Sequence, residues 1–170
     1  MNDSSKLSRM ALESGAIRLS PEKPFTWASG YKMPIYNDNR LLLGKAEYRS
    51  FIAQIFAKYS EASVDNVDVI AGTATAGIPH ATTLADRLSK PLIYVRATTK
   101  SHGMGNQIEG PLVPGQKVLL IEDLISTGGS AINAVNAIRE VGGIVENCFC
   151  IFSYGFIEAR QRFDEINCQY

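Results

Sequence analysis

Residues 118–130, VLLIEDLISTGGS, place an apolar run, two adjacent acids and a cluster of Ser, Thr and Gly next to one another. The apolar run predicts a buried strand over residues 118–121, and the periodicity of residues 130–141 predicts a helix. The N–H groups at a helix N-terminus attract anions, and glycines let an anion approach the backbone closely. The stretch therefore predicts a strand that ends at Glu122 and Asp123, then an anion-binding loop, then a helix.

Strands and helices are predicted to alternate along most of the chain. Predicted strands cover residues 67–71, 92–96, 118–121 and 144–152, and a further strand begins within 165–170. Predicted helices cover residues 44–59, 78–88 and 130–141. This alternation favours an α/β fold with a mostly parallel central sheet flanked by helices. Ligands of such sheets bind beyond the carboxyl ends of the strands, so we expect the site in the loops that follow them.

The length of 170 residues is typical of one domain. Residues 6–14 predict a short helix, and residues 17–40 predict an irregular segment with one or two short strands. We therefore expect a single domain over residues 1–170, with a hood segment over about 1–40 and a core over about 44–170.

Composition and charge exclude several classes of protein. Lys plus Arg and Asp plus Glu each number 17, so no net positive charge is available to bind nucleic acid. No apolar segment approaches the roughly 20 residues that a membrane helix needs, and the polar start is unlike a signal peptide. We therefore expect a cytoplasmic protein with no nucleic-acid or membrane partner. Cys148, Cys150, Cys168, His80 and His102 lack the spacing of a metal site, so no structural metal is expected.

The two acids and the anion-binding loop fit one ligand with two chemically different parts. Carboxylates beside a phosphate would repel it, whereas the vicinal hydroxyls of a ribose donate hydrogen bonds to carboxylates. A ribose 5-phosphate presents both parts. We therefore predict that Glu122 and Asp123 bind the ribose and that residues 126–130 bind the phosphate. A polar strand end and an ordinary helix cap would explain either half alone, but not the two in this order.

A second loop, GTATAGIP at residues 72–79, is a weaker anion site. Its glycine spacing is that of a nucleoside triphosphatase loop, but Ile78 and Pro79 replace the Lys and Ser or Thr which that chemistry requires. The absence of a G-x-G-x-x-G motif also disfavours a dinucleotide site. The loop offers backbone N–H groups and the hydroxyls of Thr73 and Thr75 as a possible second anion cradle.

A third loop, about 97–115, is long and has no apolar periodicity. Loops of this length in compact domains are usually functional lids or disordered segments. Arg96, Lys100 and His102 lie in or beside it, which favours a lid that closes over a polyphosphate. A solvated surface loop is the alternative.

Five stretches together resemble the type I phosphoribosyltransferases and, more narrowly, the orotate branch of that family. They are PFTWASGYKMPIYNDNR (24–40), GTATAGIPHA (72–81), YVRATTKSHGMGNQIEG (94–110), VLLIEDLISTGGS (118–130) and CIFSYG (150–155). The resemblance implies transfer of a phosphoribosyl group from 5-phosphoribosyl 1-pyrophosphate (PRPP) to orotate, giving orotidine 5′-monophosphate and pyrophosphate in pyrimidine (UMP) biosynthesis. It also implies Mg²⁺ held by pyrophosphate rather than by protein side chains, and a homodimer whose lid loop serves the neighbouring site.

The resemblance also implies a role for individual residues. Lys100, His102 and Asp123 are implied as catalytic residues. The implied PRPP-binding residues are Thr73, Ala74, Thr75, Arg96, Lys100, His102, Glu122, Asp123, Leu124, Ile125, Ser126, Thr127, Gly128, Gly129 and Ser130. Ser126 and Tyr36 are the implied orotate contacts, and Lys32 or Arg40 could face the orotate carboxylate.

Two other functions compete with this interpretation. A purine-base phosphoribosyltransferase would keep the PRPP site and change the base, although the block around FTWASG favours orotate. A regulator that binds PRPP without turnover would add a nucleic-acid surface, for which the chain has neither a basic patch nor a spare helix-turn-helix segment.

Overall fold

The structure, a computed structural model, describes residues 2–27, 30–63, 66–98 and 107–170. The chain divides into two units, Met1–Phe51 and Ile52–Tyr170. The boundary between the units lies beyond residues 40–44, where the sequence places the end of the hood segment.

The N-terminal unit contains a helix and two small antiparallel strand pairs. Helix α1 (Asp3–Glu13) begins after Asn2, whose Oδ1 accepts a hydrogen bond of 2.8 Å from the N–H of Ser5. The strands are β1 (Ile17–Leu19), β2 (Phe25–Thr26), β3 (Lys32–Met33) and β4 (Ile35–Asn37). Strand β1 pairs with β4 and β2 pairs with β3, so the segment holds four short strands rather than the one or two predicted.

A 3-10 turn (Asn39–Gly44) precedes helix α2 (Ala46–Ser63), which spans the boundary between the units. The C-terminal unit contains strands β5 (Val69–Thr73), β6 (Leu92–Val95), β7 (Ile108–Glu109), β8 (Lys117–Ile125) and β9 (Ile144–Ser153). Its helices are α3 (Gly77–Leu88), α4 (Gly129–Glu140) and α5 (Ile157–Glu165).

The five strands form one sheet in the order β7-β6-β5-β8-β9. All neighbours are parallel except β6 and β7, which confirms the predicted mostly parallel sheet. The central strands β5 and β8 contribute fully buried side chains, including Ile70, Leu119, Leu120 and Ile121. Strands covered on both faces have continuous apolar runs, which is why residues 118–121 are readily identified from sequence.

Two elements differ from the sequence prediction near the site. Strand β8 continues to Ile125, because β9 pairs with it as far as Ser153. Glu122 and Asp123 therefore lie within the strand and not after it. Strand β7 lies inside the predicted lid, so residues 107–109 of that segment are attached to the sheet.

The C-terminal end adds one helix that the sequence analysis missed. Helix α5 is mostly polar and buries only Ala159 and Phe163, so its apolar periodicity is weak. Where the sequence predicts a further strand within residues 165–170, the structure has an isolated parallel bridge between Asn147 and Gln169. Among the described residues, no helix is both long enough and apolar enough to cross a membrane.

Candidate active site

The Glu122 carboxylate is the centre of a hydrogen-bond network at the carboxyl edge of the sheet. Its Oε1 accepts bonds from the Thr73 hydroxyl (2.7 Å) and from the Asp123 N–H (3.0 Å), and its Oε2 accepts one from the Ser130 hydroxyl (2.7 Å). Glu122 is only 4% exposed, and these donors compensate for the burial of its charge. The network joins the ends of β5 and β8 to the first turn of α4.

Asp123 is half-buried next to this network. Burial, a hydrogen bond with Glu122 and the negative charge of Glu122 together raise the pKa of Asp123 to about 7, with burial the largest cause. Two adjacent carboxyl groups in a partly desolvated site resist simultaneous ionisation. Asp123 therefore gains or loses its proton near neutral pH.

The loop at residues 126–130 leads into the N-terminus of α4. Gly128 precedes the helix with φ +81°, a conformation that favours glycine, and no side chain of the described residues caps the helix. A Cβ on Gly128 would lie 2.9 Å from the ring of Phe163. The N–H groups of the first turn of α4 are thus without a side-chain cap at the edge where the acids lie, as an anion site requires.

The loop at residues 72–77 has fewer donors available to a ligand than the sequence predicts. The Thr73 hydroxyl has a single proton, which it donates to Glu122, and the Ala74 N–H donates to the carbonyl of Val95 (2.8 Å). Thr75 is exposed. The prediction that the Thr73 hydroxyl is offered to an anion does not match this arrangement, because the hydroxyl holds Glu122 in place.

Gly77 explains how this loop packs so tightly. A Cβ on Gly77 would lie 2.5 Å from the carbonyl oxygen of Ile121 and would also overlap the Thr73 hydroxyl. The first turn of α3 therefore approaches the β8 backbone as closely as it does only because residue 77 has no side chain.

Arg96 directly precedes the predicted lid and is hydrogen-bonded to Gln107. Its N–H donates to the carbonyl of Gln107 (2.9 Å), and the Gln107 side chain donates to the carbonyl of Arg96 (2.9 Å). Its guanidinium lies 3.6 Å from the Glu109 carboxylate, a half-exposed pair of the kind that contributes little to stability. Lys100 and His102 lie outside the described residues, so their predicted contacts stay predictions.

The predicted orotate contacts lie in different units. Tyr36 is on β4 of the N-terminal unit, with its ring centre 5.6 Å from that of Phe25 and 5.1 Å from the Arg18 guanidinium. Ser126 is half-buried in the C-terminal unit. The structure describes each unit by itself, so both roles stay predictions.

Arg40, a candidate for the orotate carboxylate, is engaged locally. It donates two hydrogen bonds to Asp38, at 2.6 and 2.9 Å, and these hold the pKa of Asp38 below its usual value. Because the pair is exposed on the arginine side, a ligand carboxylate would have to compete with Asp38.

The structure thus brings Thr73, Glu122, Asp123 and Ser130 together, as the strand order predicts. Leu124 and Ile125 lie in the same strand, with Ile125 in the core. The sequence analysis missed Arg162, which donates to the carbonyl of Thr127 (3.0 Å). No signal in the sequence near residue 162 connects it to a loop 35 residues earlier.

Comparison with known proteins agrees with this geometry. The phosphoribosyl transferase domain family matches residues 42–165. The orotate phosphoribosyltransferase of Listeria innocua is 51% identical over 98% of this chain and 80% of its own length, and that of Bacillus pumilus is 50% identical over 97% and 78%. The crystal structure of orotate phosphoribosyltransferase from Aeropyrum pernix superposes with a TM-score of 0.83 at 29% identity, covering 96% of this chain and 90% of that one. The chain belongs to the phosphoribosyltransferase family and, within it, to the orotate phosphoribosyltransferases.

Proposed function

We propose that this chain catalyses the reaction of its family, in which orotate displaces pyrophosphate from PRPP to give orotidine 5′-monophosphate in pyrimidine biosynthesis. The observation that carries the proposal is the acid pair of β8, joined through Glu122 to the uncapped N-terminus of α4. This arrangement offers carboxylates to a ribose and backbone N–H groups to its 5-phosphate.

The two acids divide the work in this proposal. Glu122 is buried and accepts bonds from Thr73 and Ser130, so its main role is to position the edge of the sheet against α4. Asp123 is more exposed and binds the ribose hydroxyls. Breaking the anomeric bond builds positive charge on the ribose, which an ionised Asp123 stabilises.

The lid supplies charge of the opposite sign. Arg96, Lys100 and His102 contact the pyrophosphate, on which negative charge develops as it leaves. Residues 126–130, with Leu124 and Ile125 supporting them, hold the ribose phosphate, while the backbone of residues 73–75 lies on the pyrophosphate side. A closed lid also keeps water from the electrophilic ribose. The protein acts as a cytoplasmic homodimer in which each lid serves the neighbouring site.

Mg²⁺ is the cofactor that this reaction requires. Mg²⁺ prefers oxygen ligands and usually binds through substrate phosphates together with one or two carboxylates. Glu122 is buried and bonded within the protein, whereas the half-buried Asp123 presents a carboxyl group near the pyrophosphate, and a bound cation would lower the raised pKa of Asp123. The residues present therefore fit a Mg²⁺ ion held largely by pyrophosphate. When bound, the metal neutralises charge on the leaving pyrophosphate.

Orotate is the base in this proposal, with Ser126 and Tyr36 in contact with it. The test mixes the purified protein with PRPP, Mg²⁺ and one base, either orotate, adenine, guanine or hypoxanthine. Orotate absorbance in the near ultraviolet should fall only when PRPP is present, and the purines should remain unchanged. Turnover of a purine instead would assign the chain to the purine-specific enzymes. Binding of PRPP with no turnover of any base would favour the regulator.

A further inference from the structure

We propose that Arg162, on α5, is a positioning residue for the loop that binds the 5-phosphate. The inference rests on the proposed function, because it assumes that residues 126–130 hold a phosphate. Helix α5 is distant in sequence from the acid pair and from residues 126–130, but it contacts that loop.

Two consecutive residues of α5 contact the same loop. The Arg162 guanidinium donates a hydrogen bond of 3.0 Å to the carbonyl of Thr127. The ring of Phe163, only 1% exposed, lies so close to Gly128 that a Cβ there would approach it to 2.9 Å. A Cβ on Gly129 would have the Arg162 guanidinium as its nearest neighbour, at 3.9 Å. Helix α5 therefore supports the three residues that lead into α4.

The bond to Thr127 fixes the orientation of a whole peptide group. The peptide unit is planar and trans, so the carbonyl of Thr127 and the N–H of Gly128 point in opposite directions. Because Arg162 holds the carbonyl towards α5, the Gly128 N–H is directed away from α5. If that peptide rotated, a carbonyl oxygen would replace a donor at the helix N-terminus, and a carbonyl repels an anion.

The positive charge of Arg162 also favours binding of a phosphate to this loop. The guanidinium is half-buried and always protonated, so its attraction for a nearby anion is screened less than that of a surface charge. Arg160, two residues earlier on the same helix, is exposed and provides a matched control for loss of one positive charge.

The test measures binding of ribose 5-phosphate by calorimetry to the full-length protein, the R162Q and R162K variants, and the R160Q control. We expect R162Q to raise the Kd about tenfold and R160Q to change it less than twofold. R162K keeps a charged donor and should stay within about threefold of the parent. In steady-state assays R162Q should raise the KM for PRPP and leave the KM for orotate unchanged.

Thermal unfolding of each variant separates positioning from simple stabilisation. A folded R162Q protein with an unchanged Kd, or an R160Q protein with an equal loss, would overturn the inference. If R162Q does not fold, R162M takes its place in the same measurements, and a folded R162M protein with an unchanged Kd would overturn the inference. Absence of orotate turnover in a parent protein that still binds ribose 5-phosphate would count against the proposed function and not against the role of Arg162.

Discussion

The starts of α3 and α4 look alike in sequence and differ in structure. Each follows a central parallel strand, begins with glycine and has no side-chain cap. At α3 the neighbouring donors are used internally, since the Thr73 hydroxyl bonds to Glu122 and the Ala74 N–H to Val95. At α4 the Ser130 hydroxyl is likewise bonded to Glu122, but the chain reaches the helix through Gly128 in a left-handed conformation, and Arg162 bonds to the carbonyl of the preceding residue.

Two loops of similar sequence can therefore have unequal roles in one site. The loop before α3 bonds to Glu122 through the Thr73 hydroxyl, whereas we propose that backbone N–H groups of the loop before α4 bind the phosphate. Sequence composition alone did not separate them, because both are rich in Gly and in residues with a hydroxyl group. The separation depends on which hydroxyls and N–H groups are already bonded within the protein.

The largest expected effect comes from the acid that we assign to the ribose. Asp123→Asn removes the charge that stabilises the ribose cation, so kcat should fall by about a hundredfold or more. The exposed Asp86 on α3 gives a control, because Asp86→Asn removes one charge at a distance from the acids and should leave kcat unchanged. Steady-state kinetics of both variants make the comparison. An unchanged kcat in Asp123→Asn would contradict the assigned role.

Mixed dimers test whether the lid of one subunit serves the other. In the proposed homodimer, the Lys100→Ala and Asp123→Asn variants should each be nearly inactive. If the lid is shared, random mixing gives one intact site in each heterodimer, and activity should recover to about a quarter of the parental value. The measurement is the orotate assay before and after subunit exchange. No recovery despite proven exchange would show that each site is built from one subunit.

A smaller effect is expected where α3 packs on β8. Gly77→Ala places a methyl group against the carbonyl of Ile121 and the Thr73 hydroxyl, and such overpacking typically costs about 2 kcal/mol of the free energy of unfolding. Gly44→Ala is a matched control, since a Cβ at Gly44 meets no atom within 4 Å. Denaturant unfolding should show a clear loss for the first variant and almost none for the second. Equal losses would mean that close packing at residue 77 is unimportant.

The smallest expected effect is a dependence of stability on pH. The pKa of Asp123 is raised from 3.8 to about 7, so the folded state binds this proton more tightly than the unfolded state does. That contribution to stability is fully present below about pH 4 and is lost as the pH rises through about 7. Asp123→Asn lacks this titration. Its melting temperature relative to the parent should therefore rise by a few degrees between about pH 5 and pH 8, and a constant difference would refute the shifted pKa.

Much of the fold follows from apolar periodicity, because β5, β8 and α4 bury continuous or regularly spaced apolar residues. Helix α5 and strand β7 could not be predicted in this way. Helix α5 is mostly polar, and β7 consists of two residues that depend on pairing with Tyr94 and Val95. The extension of β8 through Glu122 and Asp123 was missed because acids usually end a buried strand, and here hydrogen bonds compensate for the burial of Glu122.

Part of the candidate site could be predicted from the sequence, and the reason is physical. Residues at the carboxyl ends of adjacent parallel strands must meet, which is why Thr73 and Glu122 lie together. The contact between Arg162 and Thr127 depends on where α5 packs, and that helix was not predicted. The hydrogen bond from the Thr73 hydroxyl to Glu122 depends on the direction in which the hydroxyl points. Neither can be obtained from spacing along the chain.

An NMR titration of the backbone amides with ribose 5-phosphate tests most directly whether residues 126–130 bind the phosphate. If the start of α4 binds the 5-phosphate, the largest shift changes should occur in residues 126–130, with smaller changes in residues 72–77. The loss of these changes in R162Q would link them to α5. Shift changes centred on residues 72–77, with none in residues 126–130, would contradict the central claim that the loop before α4 is the phosphate site.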